Sequence, residues 1–240
     1  MIRYNIGMLT VVVYLGSFGP TIFTFLVGAE GVPSTSLVHE NLIRRHSKFV
    51  EAISRNDWKE KESRVIEFPE HDEEYFRIFF DYIYSHNIFR SINNDCLSGK
   101  LMEDKEWDRL AHCWALGAYS QATNFQNAIT DAIVEKVLSL QGQQPLQTMH
   151  KIIYPHSRAG SGVRKLPVDI AIHGWSTDFL KEQSMGMEWA GFFFDLSVAT
   201  YAYRGEDFDT PMYRMSRDCY YHSHEYSFGN ATCHNIPEGR

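Results

Sequence analysis

The stretch FRIFFDYIY, residues 76–84, puts Phe76, Phe79, Phe80 and Ile83 at i, i+3, i+4 and i+7, the spacing of one apolar helix face. Just ahead of it, Asp72 supplies an N-cap, and Glu73 and Glu74 supply first-turn carboxylates that the helix macrodipole favours. Upstream, Val65-Ile66-Glu67-Phe68, closed by Pro69, reads as a short strand. Residues 21–27 (TIFTFLV) are β-branched and aromatic, and Gly28-Ala29-Glu30-Gly31 separates them from a second β-like run at 34–38, the pattern of a hairpin. From His39 to Ser54 the apolar positions Leu42, Ile43, Phe49, Val50 and Ile53 recur at three- and four-residue steps, so this segment is expected to be helical. Residues 56–64 form a broken run of charge.

Downstream, residues 85–105 are polar and turn-rich and predict a long exposed connection with at most a short strand near Ile88. Two helices are expected next. Trp107, Leu110, Ala111 and Trp114 share one face, and Thr123 with Gln126 makes a capping box ahead of Phe125, Ala128, Ile129, Ala132 and Ile133. The run QGQQP at 141–145 marks a domain edge. Beyond it, 150–154, 163–175 and 189–203 read as three more helices, the last with Trp189, Phe192, Phe193, Leu196 and Thr200 on a stripe expected to be core. From Arg204 onward the chain is polar and rich in tyrosine and histidine without periodicity, and no internal repeat appears.

Ordinary globular composition accompanies this pattern: 240 residues, 44% hydrophobic and 22% charged. A net charge of −7 and the lack of a Lys/Arg cluster argue against a nonspecific grip on nucleic acid. Four scattered cysteines in so long a chain do not make a disulfide framework, which points to an intracellular, cytoplasmic or nuclear, reducing compartment. Residues 6–29 carry no charge until the glutamate at 30, yet Gly16, Gly19 and Pro20 interrupt them. The segment 1–20 is therefore expected to be an apolar N-terminal extension, β-rich or irregular, rather than a signal peptide or a membrane span.

The ordered series of a glycine after the first strand (Gly28), Leu37-Val38-His39, Ser47 and Phe49, Trp58-Lys59-Glu60, the strand at 65–68, the run 76–84, Leu116-Gly117-Ala118-Tyr119 and the segment 127–133 resembles the BTB/POZ domain. The match covers about residues 21–140, and 141–203, with Ile152-Ile153-Tyr154, Arg164-Lys165-Leu166 and Val168-Asp169-Ile170, is similar to the helical extension of many fungal BTB proteins; 204–240 forms a Cys/His/Tyr-rich tail. The resemblance implies an α+β fold, a small three-stranded sheet with stacked helical hairpins followed by an α-helical extension. It also implies a non-enzymatic role in protein–protein association: homodimerisation, scaffolding, adaptor work that brings substrates to a cullin-3 ubiquitin ligase, or transcriptional regulation. His39, Ser47 and Phe49 match positions that hold the first helix pair together. Leu101-Met102-Glu103 has the form of the family's apolar-x-acid cullin motif, whereas alignment on Tyr119 points to Trp107-Asp108-Arg109, where the acid does not fit. Residues 1–20 lack the amphipathic stripe of the family's swapped N-terminal helix.

Two thiols and two imidazoles, Cys219, His222, His224 and Cys233, fall within one short stretch and supply the ligand set of a tetrahedral structural zinc site, with His234 as a spare. The spacing departs from the usual finger pattern, and the plainer expectation is a solvated tail whose Cys and His bind nothing. Tyr213, Tyr220, Tyr221 and Tyr226 belong to the same tail and are expected to be disordered with it. Catalytic constellations are not legible. Cys113 and His112 are adjacent on a helix and face apart, Ser161 in Gly160-Ser161-Gly162 lacks the nucleophile-elbow frame, and Gly28, Gly31 and Lys59 make no phosphate loop. The expected partners are proteins, with neither nucleic acid nor membrane, and no cofactor beyond the zinc considered above.

Overall fold

The computed structural model describes residues 2–6, 9–13, 18–29, 31–56, 58–88, 99–139, 149–182, 189–202 and 219–223, with side chains from residue 18 onward except at 99–104 and 182. The fold is α+β and comprises two compact units. The first consists of Met1–His86 with Ser120–Ala122, the second of Asn87–Tyr119 with Thr123–Arg240. This division lies within the segment 21–140 expected to form one domain.

In the first unit, β1 (Ile2–Ile6) and β2 (Leu9–Val13) pair antiparallel, Ile2 opposite Val13, so the apolar N-terminal segment has β structure. A separate sheet has the order β4-β3-β5. Strand β3 (Ile22–Val27) pairs antiparallel with β4 (Ser34–His39), as the hairpin pattern anticipates, and Gly28 enters the connection at φ 106°, a conformation that costs glycine nothing. Strand β5 (Val65–Phe68) joins the other edge of β3 in parallel, Phe25 opposite Ile66, after a crossover long enough for parallel pairing. The alternation of β3 buries Phe23, Phe25 and Val27 on one face.

The segment 39–54, expected to be helical, consists of two helices, α1 (Glu40–His46) and α2 (Lys48–Arg55), broken at Ser47. Ser47 adopts an extended φ of −135°, accepts the Val50 amide at 3.2 Å as N-cap of α2, and donates its hydroxyl to the Ser120 carbonyl at 2.7 Å. A serine able to satisfy both a helix start and a distant carbonyl makes the break favourable where apolar spacing alone reads as continuous. The charge run yields a further short helix, α3 (Lys59–Ser63), ended by Arg64 in the left-handed region at φ 59°, whose guanidinium pairs with Glu40. Helix α4 (Glu73–Ser85) starts as expected, with Asp72 accepting the Glu74 amide at 2.8 Å. Its Phe76, Phe79, Phe80 and Ile83 are buried, and Phe76 and Phe80 meet Phe25 and Phe68 with ring centroids 4.6–6.5 Å apart. Burial of several such rings, each stabilising by about 1.5–3 kcal/mol, makes this aromatic knot the core of the unit.

The second unit is helical. Helix α5 (Gly99–Tyr119) begins inside the stretch expected to be an exposed connection; Ile88, near which a short strand is expected, is neither helix nor strand, and residues 89–98 lie outside the described residues. Its charged first turns hide the periodicity that Trp107, Leu110, Ala111 and Trp114, all buried, make plain farther along. Helix α6 (Thr123–Ser139) packs on α5 at Gly117, where a Cβ would stand 2.6 Å from Gln126 Cγ and 3.2 Å from Phe125. Helices α7 (Met149–Ile153), α8 (Gly162–Gly174) and α10 (Ala190–Ala202) match the three expected, and a short α9 (Thr177–Glu182) adds to them. The α10 stripe is core only in part: Trp189 and Phe192 are buried, Phe193 and Leu196 half-buried, and Thr200 exposed. The domain edge expected at 141–145 lies outside the described residues. Among the described residues no helix is long and apolar enough to cross a membrane.

Candidate functional site

The residues that the family resemblance singles out in the first unit act on its framework. His39, the N-cap position of α1, has its Nδ1 2.7 Å from the Tyr84 hydroxyl oxygen, while its backbone N–H donates to the same oxygen at 3.2 Å. Burial is the largest effect on Tyr84, pushing its phenol above the ordinary value, with the His39 amide opposing it. Phe49 meets Phe68 in a tilted arrangement, ring centroids 6.2 Å apart. On the surface of the same unit, Val32, Leu37 and Trp58 are exposed apolar side chains.

Of the two cullin-motif alternatives, residues 101–103 have helical backbone in α5 and undescribed side chains, whereas Trp107 is buried beneath Lys136, whose ammonium lies 4.9 Å from the ring centroid. Cys113 is buried and His112 points to solvent, as their adjacency requires. Arg44 pairs with Glu40 at 3.6 Å and Arg45 is exposed.

Of the four zinc-ligand candidates, His224 and Cys233 lie outside the described residues, as do His234, Tyr213 and Tyr226. Cys219 and His222 do not converge on a third donor: among the described residues no group of three or more His, Cys, Asp or Glu side chains could hold a metal ion. His222 Nε2 instead faces Asp131 Oδ1 at 2.6 Å, in a ring position that is 8% exposed. The stretch 219–223 is therefore not solvated chain. Cys219 turns at φ 69°, a left-handed conformation held by the His222 N–H to Cys219 C=O bond at 3.1 Å. After that turn Tyr221 is buried and donates its hydroxyl to Asp169 Oδ2 at 2.8 Å, while the Lys165 ammonium sits 4.8 Å from the Tyr220 ring centroid. No local periodicity marks this segment, since each anchor meets a group 50 or more residues away in sequence.

Beside it, between α8 and α10, opens a cleft of about 390 Å³ lined by Ser161, Arg164, Lys165, Asp169, Asp195 and Tyr220 among others. Two of its charged groups, Arg164 and Asp195, are engaged by the scaffold. Arg164 donates to the Tyr154 and Ser157 carbonyls at 3.0 and 2.6 Å and lies over the Tyr154 ring, and Tyr154 donates its hydroxyl to Asp195 at 2.9 Å. Burial, then the Asp195 carboxylate, pushes the Tyr154 phenol far above its ordinary value, so it stays a donor. Ser161 Oγ is buried with no hydrogen-bond partner, and no imidazole lines this cleft to serve it as a base.

A buried imidazole sits in the same unit. His150 is 2% exposed, stacked 4.4 Å from Phe192 and flanked by Trp189 at 4.6 Å and Trp175 at 5.7 Å. Neither of its ring nitrogens has a hydrogen-bond partner, and burial, followed by the Lys151 charge, lowers its pKa to about 4. In the sequence His150 reads only as the start of a helix, because an unpaired buried imidazole leaves no mark in local pattern.

No family model matches the chain, and no curated protein matches it.

Proposed function

We propose that the chain is a non-enzymatic protein-association module of the BTB/POZ type with a helical extension, working as an adaptor for a cullin-3 ubiquitin ligase or as a scaffold. The observation that carries the reading is the topology of the first unit. A hairpin is followed by two helices broken at a buried serine, then by a strand returning parallel to the first strand of that hairpin, then by an aromatic helix. That is the order in which the resembling motifs occur in the sequence. The exposed Val32, Leu37 and Trp58 supply apolar contact area of the kind that protein partners cover. The engagement of Arg164, Tyr154 and Asp195 with one another in the cleft favours association over catalysis.

Affinity purification of the tagged full chain from its source cell, read by mass spectrometry, tests this, together with light scattering of the purified chain alone. Recovery of a cullin in stoichiometric amount supports the adaptor role. Recovery of other partners without cullin supports the scaffold. A chain that is monomeric at about 100 µM and brings down no partner overturns both, since interfaces that function in cells hold at micromolar affinity or better.

A further inference from the structure

Residues 219–223 sit on the second unit in the manner of a bound peptide. Asn127 of α6, 6% exposed, reads the backbone at two points: its amide donates to the Ser223 carbonyl at 3.1 Å and its oxygen accepts the Ser223 N–H at 2.9 Å. Side chains anchor the segment on either hand, Tyr221 on Asp169 of α8 at 2.8 Å and His222 on Asp131 of α6 at 2.6 Å. Gly162, the first residue of α8, leaves room for the backbone to pass: a Cβ there would lie 3.0 Å from the His222 carbonyl oxygen and 3.1 Å from Tyr221 carbonyl atoms. A buried amide that turns both its donor and its acceptor to a backbone 96 residues distant, opposite a bare glycine, is the chemistry of strand recognition rather than of apolar core packing.

We propose that α6 and α8 form a peptide-recognition site whose resting occupant is the chain's own Tyr220–Ser223, held as a displaceable latch. The site takes an aromatic-His-Ser stretch: a phenol for Asp169, an imidazole for Asp131, and the next residue's N–H and C=O for Asn127. Its two carboxylates exclude acidic residues from the first two positions. Residues 203–218 tether the occupant to α10 with sixteen residues, at most about 55 Å of extended chain, so the latch competes with any peptide offered in trans at high effective concentration. The proposal does not rest on the BTB/POZ reading, since all its contacts lie within the second unit.

The test is fluorescence anisotropy with a labelled peptide of residues 217–226, added to the full chain and to its Tyr221→Ala variant. The latch-weakened variant is expected to bind the peptide at least tenfold more tightly than the wild type, and addition of Asn127→Ala should abolish that binding. A Tyr221→Ala chain that melts cooperatively but does not bind the peptide, or binds it no better than the wild type, overturns the proposal. Hydrogen exchange on the wild type guards against a variant that does not fold. The amides of 221–223 should open at lower denaturant than those of α6 and α8, and Gly162→Ala should raise their exchange rate about tenfold without exposing α8. Opening of 221–223 only together with α6 marks the segment as a fixed strut and ends the idea.

Discussion

His150 carries the sharpest consequence at the scale of single residues. Its folded pKa of about 4 lies below the ordinary histidine value of 6.5, so the folded chain keeps the ring neutral where the unfolded chain takes up a proton. The stability it allows is full above pH 6.5, declines as pH falls through the window from 6.5 to 4, and levels off below it. The loss amounts to about 3 kcal/mol at most. Urea denaturation at pH 7.5 and pH 5 should show that decline, and His150→Leu, which keeps the aromatic contacts dry, should flatten it. A variant with the same pH slope as the wild type would place the titration elsewhere. His46, also lowered to about 4, first by burial and then by the His86 and Arg45 charges, contributes in the same direction in the first unit. A second residue-scale effect concerns Lys136, 5% exposed and paired with Glu106 at 2.5 Å. Glu106→Gln leaves that ammonium buried without its counter-charge and should cost about 2–3 kcal/mol, somewhat under the usual figure for a buried pair because Glu106 keeps some solvent contact. Arg55→Ala, at an exposed i,i+4 pair, should change stability by less than about 0.5 kcal/mol. Equal effects from the two would show that burial at Lys136 does not govern the pair.

At the scale of elements, Ser47 decides that residues 40–55 are two helices instead of one. Ser47→Ala removes both the α2 cap and the hydroxyl that donates to the Ser120 carbonyl, and should destabilise by about 1–3 kcal/mol, the range for a lost cap plus a lost buried hydrogen bond. Guanidinium denaturation measures this directly, and a change below about 0.5 kcal/mol would mean that water replaces the hydroxyl. Helix α4 is the aromatic side of the first unit's core. Phe79→Asp, at a position 1% exposed, puts a carboxylate in the place of a buried ring that meets Phe80 at 6.0 Å and should abolish the native circular dichroism of that unit, whereas Arg45→Glu on the exposed face of α1 should leave it folded. A Phe79→Asp chain that melts within about 2 °C of the wild type contradicts the core assignment.

Across the whole molecule, two compact units predict more than one unfolding event. Four of the five tryptophans, Trp107, Trp114, Trp175 and Trp189, belong to the second unit and only Trp58 to the first. Tryptophan fluorescence therefore reports chiefly the helical unit, while far-ultraviolet dichroism reports both. Midpoints from the two probes should differ in urea, and coincident midpoints would show that the units unfold as one.

The sequence alone determined the elements whose signals are local. The period-two run at 22–27 and the turn glycines settled the hairpin, Asp72 with the 76/79/80/83 spacing settled α4, and the Trp107 and Phe125 faces settled α5 from Trp107 onward, though not its first turns, and α6, because a cap or an amphipathic stripe is written within a few residues. The break at Ser47, the pairing of β5 with β3, and the seating of α6 on Gly117 of α5 were decided by tertiary structure, since each depends on a partner outside the local window: the Ser120 carbonyl, the edge of β3, the side chains of Phe125 and Gln126. The candidate site follows the same division. Nothing around Tyr221 and His222 distinguishes them from solvated tail, and only the folded chain brings Asp169, Asp131, Asn127 and the bare backbone of Gly162 to meet them, because hydrogen-bond recognition across 52 to 96 residues leaves no period in the sequence.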